Sequence, residues 1–413
     1  MNSARKTRWW VVAAAYGAGV IGAAHIGKVP AALPAMRADF GLDLIAASWV
    51  VAIFSVTGVL FGMAAGLLTD RLGHRALAIA GVVLMALGSG AGALSESAEI
   101  ILLTRFVEGV GYIIAVVSAP AIIAEAAAPD DRRLASGMWG SFMPLGMAAM
   151  LLLSPFLQEW AGWRGSWAFM AVVTGLWAVL MMAVFAKPAE GREAPSLPEH
   201  PPEHPWRNLL ITVSARGPWL LALCFGFYTL AWVALMVWLP TFMIEERGLP
   251  VRLAALMTLV AVAVNLPGNL LGGWLMHKAA PRGVVIGVAA LFIGISGPLI
   301  FLDHLPDGAR FAACLVYSFV VGVLPATILG AAPYFAPSPR QIGSTYGLII
   351  QGSHLGQLLG PVVVAMMVTI TGGWQAGAWV FLACGVGVLW FAGLIAREEA
   401  RAQAQSQGSA LDR

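Results

Sequence analysis

Apolar residues in this chain come in runs of about twenty, the length that crosses the hydrocarbon core of a bilayer as a helix. Polar residues are confined to the breaks between the runs. The pattern predicts helices near 9–34, 46–68, 77–95, 100–124, 135–157, 167–186, 217–243, 253–275, 284–302, 309–333, 343–367 and 376–396, twelve spans. The runs are continuous and do not alternate apolar with polar, which excludes membrane-spanning strands. Short polar breaks separate the early spans: Arg37 to Asp43, Asp70 to Arg75, Ser95 to Glu99 and Asp130 to Arg133.

One break is longer. Residues 187–216 carry six prolines between Pro188 and Pro205, with charges among them. Proline forbids a continuing helix there and favours an extended, solvated linker. The chain then divides as 1–186, a cytoplasmic linker at 187–216, and 217–413, which ends in a cytoplasmic tail. Each half holds six spans. The linker repeats Pro-Glu-His at 198–200 and 202–204, but two histidines in a flexible segment do not predict a metal site.

Composition agrees with the pattern. Of 413 residues, 59% are hydrophobic and 11% are charged; a soluble chain has about a quarter charged. The fold class is therefore an all-α membrane protein. The basic residues orient it. With the N-terminus inside, seventeen of the 24 Lys and Arg fall in inner segments and five in outer loops, which places both termini in the cytoplasm of an inner-membrane protein. A net charge of +3 without a basic tract gives no nucleic-acid surface. Cys224, Cys314 and Cys384 lie far apart in apolar runs, so no disulfide framework or metal cluster is expected. No nucleophile elbow or phosphate loop appears, and the loops are too short for a catalytic domain. Neither an enzyme nor a cofactor is predicted, and the chain is expected to be a monomer.

Two motifs carry a family resemblance. The break after the second span reads Gly66-Leu67-Leu68-Thr69-Asp70-Arg71-Leu72-Gly73-His74-Arg75. It resembles the signature between the second and third helices of the major facilitator superfamily, with His74 at the first basic position. Gly66 permits close helix approach and Gly73 a tight turn. Asp70 stands where the N-terminal dipole of the eleventh span can face it, a cytoplasmic latch; Arg71 and Arg75 complete the motif. The equivalent break after the eighth span keeps Gly272, Gly273, Lys278 and Arg282, but Met276 stands near the acidic position, so the second half lacks that latch. The fourth span contains Arg105-Phe106-Val107-Glu108-Gly109-Val110-Gly111, which resembles the family's fourth-helix motif. The resemblance implies two pseudo-symmetric six-helix bundles, the major facilitator fold, rocking about a midplane site. It is closest in flavour to cyanate-permease-like and organic-anion members.

The candidate site residues are the polar ones inside spans. Arg105 and Glu108 are three apart and can pair on one helix face; the pair either lines a cavity or braces packing. His25 and Lys28 are also three apart, and Lys28 either snorkels outward or faces the cavity. Tyr346, Gln351, His354 and Gln357 make a polar stripe on the eleventh span. Asn265 and Asn269 flank Pro267, where they either bind substrate or satisfy carbonyls freed by the proline. Tyr112, Trp139, Tyr228 and Trp232 are aromatic cavity candidates.

With neutral histidines, the ionisable groups inside spans leave one surplus positive charge, which favours an anion. The resulting expectation is a secondary transporter of a small organic or inorganic anion, coupled to protons. The alternative is a proton-driven exporter of lipophilic compounds. Uptake and efflux use the same parts.

Overall fold

The computed structural model describes residues 6–186, 205–302 and 305–411; side chains at 65–72, 132–133, 136–137, 205–206, 339 and 402–411 lie outside that description. So does most of the expected linker, including its repeated Pro-Glu-His. Among the described residues the chain is all-helical, with no strand.

The helices in chain order are α1 Trp9–Phe40, α2 Leu44–Leu72, α3 His74–Ala93, α4 Ala98–Ala126, α5 Arg132–Trp139, α6 Phe142–Phe185, α7 Pro205–Ser214 and α8 Arg216–Glu245. They continue as α9 Val251–Ala263, α10 Asn265–His277, α11 Arg282–Phe301, α12 Asp307–Val321, α13 Val323–Leu329, α14 Ala332–Phe335, α15 Ile342–Thr371 and α16 Gly377–Leu411. Eleven helical stretches among the described residues are long and apolar enough to cross a membrane. One of them, α6, holds two of the expected spans. It breaks at Ala161 and Gly162, where Gly162 takes φ 62°, ψ −168°, a left-handed backbone open to glycine. Counting both arms of α6 restores the expected twelve.

Proline explains where other spans are interrupted. Pro144, Pro267, Pro325 and Pro333 each lack the N–H that would bond four residues back. The helix is broken near those carbonyls, after Trp139, Ala263, Val321 and Leu329. The fifth, eighth and tenth spans are thus each built from more than one helix. The first span differs in the other direction. Pro30 and Pro34 do not end it; α1 continues to Phe40 and stops at Gly41, whose N–H bonds the Arg37 carbonyl. Neighbouring helices hold the backbone through the prolines, as membrane helices allow.

By contact density the chain forms two units, 1–210 with 239–259, and 211–238 with 260–413. In unit 1, α1 packs on α6 and α4, α3 on α4 and α6, and α2 on α4. Segment 239–259 joins unit 1 through the ion pairs Arg37–Glu245 and Glu159–Arg252. In unit 2, α11 packs on α16 and α12, and α10 on α12 and α13.

Candidate functional site

The charged residues of unit 1 meet at one point. α1 brings His25 and Lys28, α4 brings Arg105 and Glu108, and all four are fully buried. The Glu108 carboxylate is shared between the two cations. Its Oε1 accepts from Lys28 Nζ at 2.6 Å and its Oε2 from Arg105 Nη1. Gly88 of α3 makes room for it: a Cβ there would lie 2.9 Å from Glu108 Cγ.

Each cation has further partners. Lys28 Nζ donates to Ser89 Oγ at 2.8 Å, meets His25 Nδ1 at 3.2 Å and sits 4.4 Å from the Trp167 ring centre. Arg105 donates from Nε to the Val50 carbonyl at 3.1 Å and from Nη1 to the His25 carbonyl at 3.0 Å, over the Phe54 ring. Its Nη2 is buried without a hydrogen-bond partner. Two cations against one carboxylate leave one surplus positive charge with His25 neutral. A buried charge without its counter-ion is costly, so such a cluster attracts an anion.

These contacts decide two readings the sequence left open. Lys28 does not snorkel to an interface; it is an internal ion-pair partner. Arg105 and Glu108 do pair, and the pair is part of a larger network. In this structure the network is sealed from solvent rather than lining open space.

Of the aromatic candidates of unit 1, Tyr112 lies on α4 one turn beyond Glu108, and Trp139 ends α5. The Tyr112 ring contacts Phe54 at 5.0 Å between centroids, and Trp139 stacks on Phe142 at 4.4 Å. Tyr16 hydrogen-bonds Ser141 at 2.6 Å, beside the α5–α6 break.

Unit 2 gathers a second cluster with no charge. Asn265 Nδ2 donates to the Ser318 carbonyl at 2.9 Å, tying α10 to α12. Asn269 Nδ2 donates back to Asn265 Oδ1 at 2.8 Å and to its carbonyl at 3.2 Å. Trp232 Nε1 donates to Ser318 Oγ at 3.4 Å, and Tyr228 is buried on the same helix, α8. The amides are thus engaged with the protein, at the joint between two proline-broken helices. On α15, His354 and Gln357 are buried and Gln357 donates to Ser353 at 3.1 Å; Gln351 is half-buried and Tyr346 exposed.

The loop motif is partly described. Gly73 takes φ 88° and turns the chain between α2 and α3, and Arg75 lies over Phe185 at 5.8 Å. The side chains of Gly66, Asp70 and Arg71 lie outside the described residues. In the second half, the acid missing at Met276 comes from the C-terminal helix instead. Arg282 pairs with Glu399 at 2.8 Å, and Arg216 with Glu398 at 3.5 Å.

A topology of apolar helices with a buried ion cluster narrows the class, and sequence comparison decides it. The model of the Major Facilitator Superfamily matches residues 10–361. The chain belongs to the Major Facilitator Superfamily. It is a multi-pass membrane transporter and not an enzyme. It is 28% identical to the 3-(3-hydroxy-phenyl)propionate transporter of Escherichia coli over 343 residues, 80% of each chain. It is 25% identical to a probable sulfoacetate transporter of Cupriavidus necator, over 84% of each. A bacterial homologue of the human lysosomal transporter Spinster, solved inward-facing and unoccupied, shares the superfamily fold. It aligns with a TM-score of 0.76 and 18% identity, over 96% of this chain and 98% of that one.

Several contacts of the unit 1 cluster were absent from the sequence reading: Ser89, Thr174, Trp167 and Phe54. Serine and threonine inside apolar helices commonly bond their own backbone, so they carry little signal. Ser89 had one clue, its place between Gly88 and Gly90, where α3 presents a small-residue face.

Proposed function

We propose that this superfamily member moves a small organic anion, a carboxylate, across the inner membrane by alternating access coupled to protons. Both termini are cytoplasmic, the chain works as a monomer, and the halves that rock are the six spans before and the six after the 187–216 linker. Asp70 latches the cytoplasmic side in one state. The observation that carries the reading is the buried cluster of Lys28, Arg105 and Glu108, with two cations sharing one carboxylate. Protonating Glu108 makes the cluster doubly positive, and an anion restores the balance. Proton and anion therefore load together, and reorientation is cheap only for the loaded or empty forms. Two relatives support the substrate class, since one is named for a phenylpropionate and the other for sulfoacetate.

A thermal-shift series on the purified protein tests this. The ligands are 3-(3-hydroxyphenyl)propionate, sulfoacetate and tetraphenylphosphonium. A ligand that binds the folded state raises its stability by RT ln(1 + [L]/Kd). Stabilisation by a carboxylate and not by the cation is expected. Stabilisation by the cation alone would favour the lipophilic exporter, for which the aromatic pair Trp139–Phe142 is the supporting observation.

A further inference from the structure

The far side of Lys28 is held by a chain of neutral groups that the ion pairs do not require. An ammonium has three N–H donors and no acceptor. Lys28 spends them on Glu108 Oε1 at 2.6 Å, Ser89 Oγ at 2.8 Å and His25 Nδ1 at 3.2 Å. His25 Nδ1 therefore offers a lone pair. An Nδ1–H would set a donor against the ammonium there and reach an acceptor only at the longer distance of 3.6 Å, Glu108 Oε1. The neutral ring then carries its proton on Nε2, which donates to Thr174 Oγ1 at 2.9 Å. Ser89, while accepting from Lys28, gives its own proton to the Trp167 carbonyl at 2.8 Å. Thus α6 grips Lys28 of α1 by two arms, one through His25 and Thr174, the other through Ser89 and Trp167.

These arms matter when Glu108 is neutral. A protonated carboxyl no longer counters the ammonium's charge and keeps only a neutral carbonyl oxygen as acceptor; the remaining acceptors around Lys28 are Ser89 Oγ, His25 Nδ1 and the face of Trp167. We propose that His25, fixed in its Nε2–H tautomer by Thr174, and Ser89 are positioning residues of proton coupling: they keep Lys28 charged and in place while Glu108 is protonated. The proton forms an O–H bond on Glu108, and Lys28 keeps its three N–H bonds. The site then presents two cations to the incoming anion. The groups facing this step are His25 and Lys28 from α1, Ser89 from α3, Arg105 and Glu108 from α4, and Thr174 and Trp167 from α6; α2 contributes the Val50 carbonyl and the Phe54 ring. The proposal rests on the proton-coupled reading above.

Nitrogen-15 NMR of histidine-labelled protein in lipid reads the tautomer directly. The sequence has seven histidines, and His25→Asn identifies the signal that belongs to His25. A neutral ring with a bare Nδ1 is expected in the wild type and in Thr174→Ser, and a mixture of tautomers in Thr174→Val. A second arm measures uptake of the stabilising carboxylate into proteoliposomes as a function of pH. Thr174→Val loses the fixed acceptor for Lys28, which penalises the protonated-Glu108 form most. Its profile should move to lower pH by up to about one unit, each unit being about 1.4 kcal/mol, and Thr174→Ser should restore it. His25→Asn offers Lys28 a carbonyl acceptor independent of residue 174, so adding Thr174→Val to it should change nothing further. An imidazolium or an Nδ1–H ring in the wild type overturns the proposal, as does an unshifted profile in a well-folded Thr174→Val. Wild-type uptake indifferent to pH, with the tautomer as expected, defeats the coupling reading itself.

Discussion

The two units of this transporter solve the same packing problem with different chemistry. Each buries polar side chains among membrane-spanning helices. Unit 1 buries two cations and a carboxylate at one point; the cluster of unit 2 around Asn265 buries amides, an indole and a hydroxyl, while the buried Arg310 of that unit stands apart near the start of α12. Around Asn265 the amides, Ser318 and Trp232 hydrogen-bond one another and stitch α10 to α12 at a proline break. In unit 1 the hydrogen bonds are equally dense, yet the charge does not cancel and Arg105 Nη2 is left over. Joints need only satisfied groups, whereas a site that must attract and release an ion needs an imbalance. In the proposed function, attraction and coupling belong to the unit 1 cluster, and the Asn265 cluster of unit 2 is a neutral joint.

The contrast can be broken most severely at Glu108. Glu108→Gln leaves two buried cations without their anion, and losing one partner of a buried pair costs about 3–5 kcal/mol. A large fall in thermal stability and loss of proton-driven accumulation are expected. Adding Lys28→Met should recover much of the stability and none of the accumulation. A stable Glu108→Gln protein would show that the pairing is not what holds unit 1 together.

Arg105→Lys comes next. It keeps the charge but cannot reproduce the guanidinium's separately directed bonds to Val50, His25 and Glu108. Uptake should fall at least tenfold while the protein stays folded in detergent. Near-normal uptake would reduce Arg105 to a generic positive charge.

In unit 2, Asn265→Leu removes the bond to Ser318 and leaves Asn269 only the backbone carbonyl of residue 265. Each lost hydrogen bond is worth about 0.5–1.5 kcal/mol, so stability should drop while the pH profile keeps its shape. A shifted profile would mean that the neutral cluster takes part in coupling. Glu399→Gln is the mildest change. The Arg282–Glu399 pair lies near the ends of its helices, and pairs outside a buried core are worth about 0–1 kcal/mol. No change in stability beyond that is expected.

These residues also mark how far the sequence could be read. The apolar runs gave the helices, because length and continuity suffice to recognise a span. Helices break near Pro144, Pro267 and Pro325, whereas α1 runs through Pro30 and Pro34 beyond the expected end at 34; neighbours, not local preference, decide whether a membrane helix survives a proline. Arg105–Glu108 was legible because three residues bring two side chains onto one face. Lys28–Glu108 was not, since 80 positions separate them and only the packing of α1 against α4 joins them. The loop that holds Met276 offers Arg282 no acid; Glu399 arrives from the C-terminal helix, more than a hundred residues on, which spacing alone does not reveal. Thr174 carried no signal at all, because its importance comes from the orientation of a ring on another helix.

The most direct test of the account is proton movement itself. Proteoliposomes holding the protein are given, without buffer, the carboxylate that stabilises it in the thermal-shift series, and external pH is followed. The account expects the medium to turn alkaline as anion and proton enter together, and Glu108→Gln to exchange labelled anion without any pH change. Anion uptake with no pH change in the wild type, or an unaltered pH signal in Glu108→Gln, would contradict it.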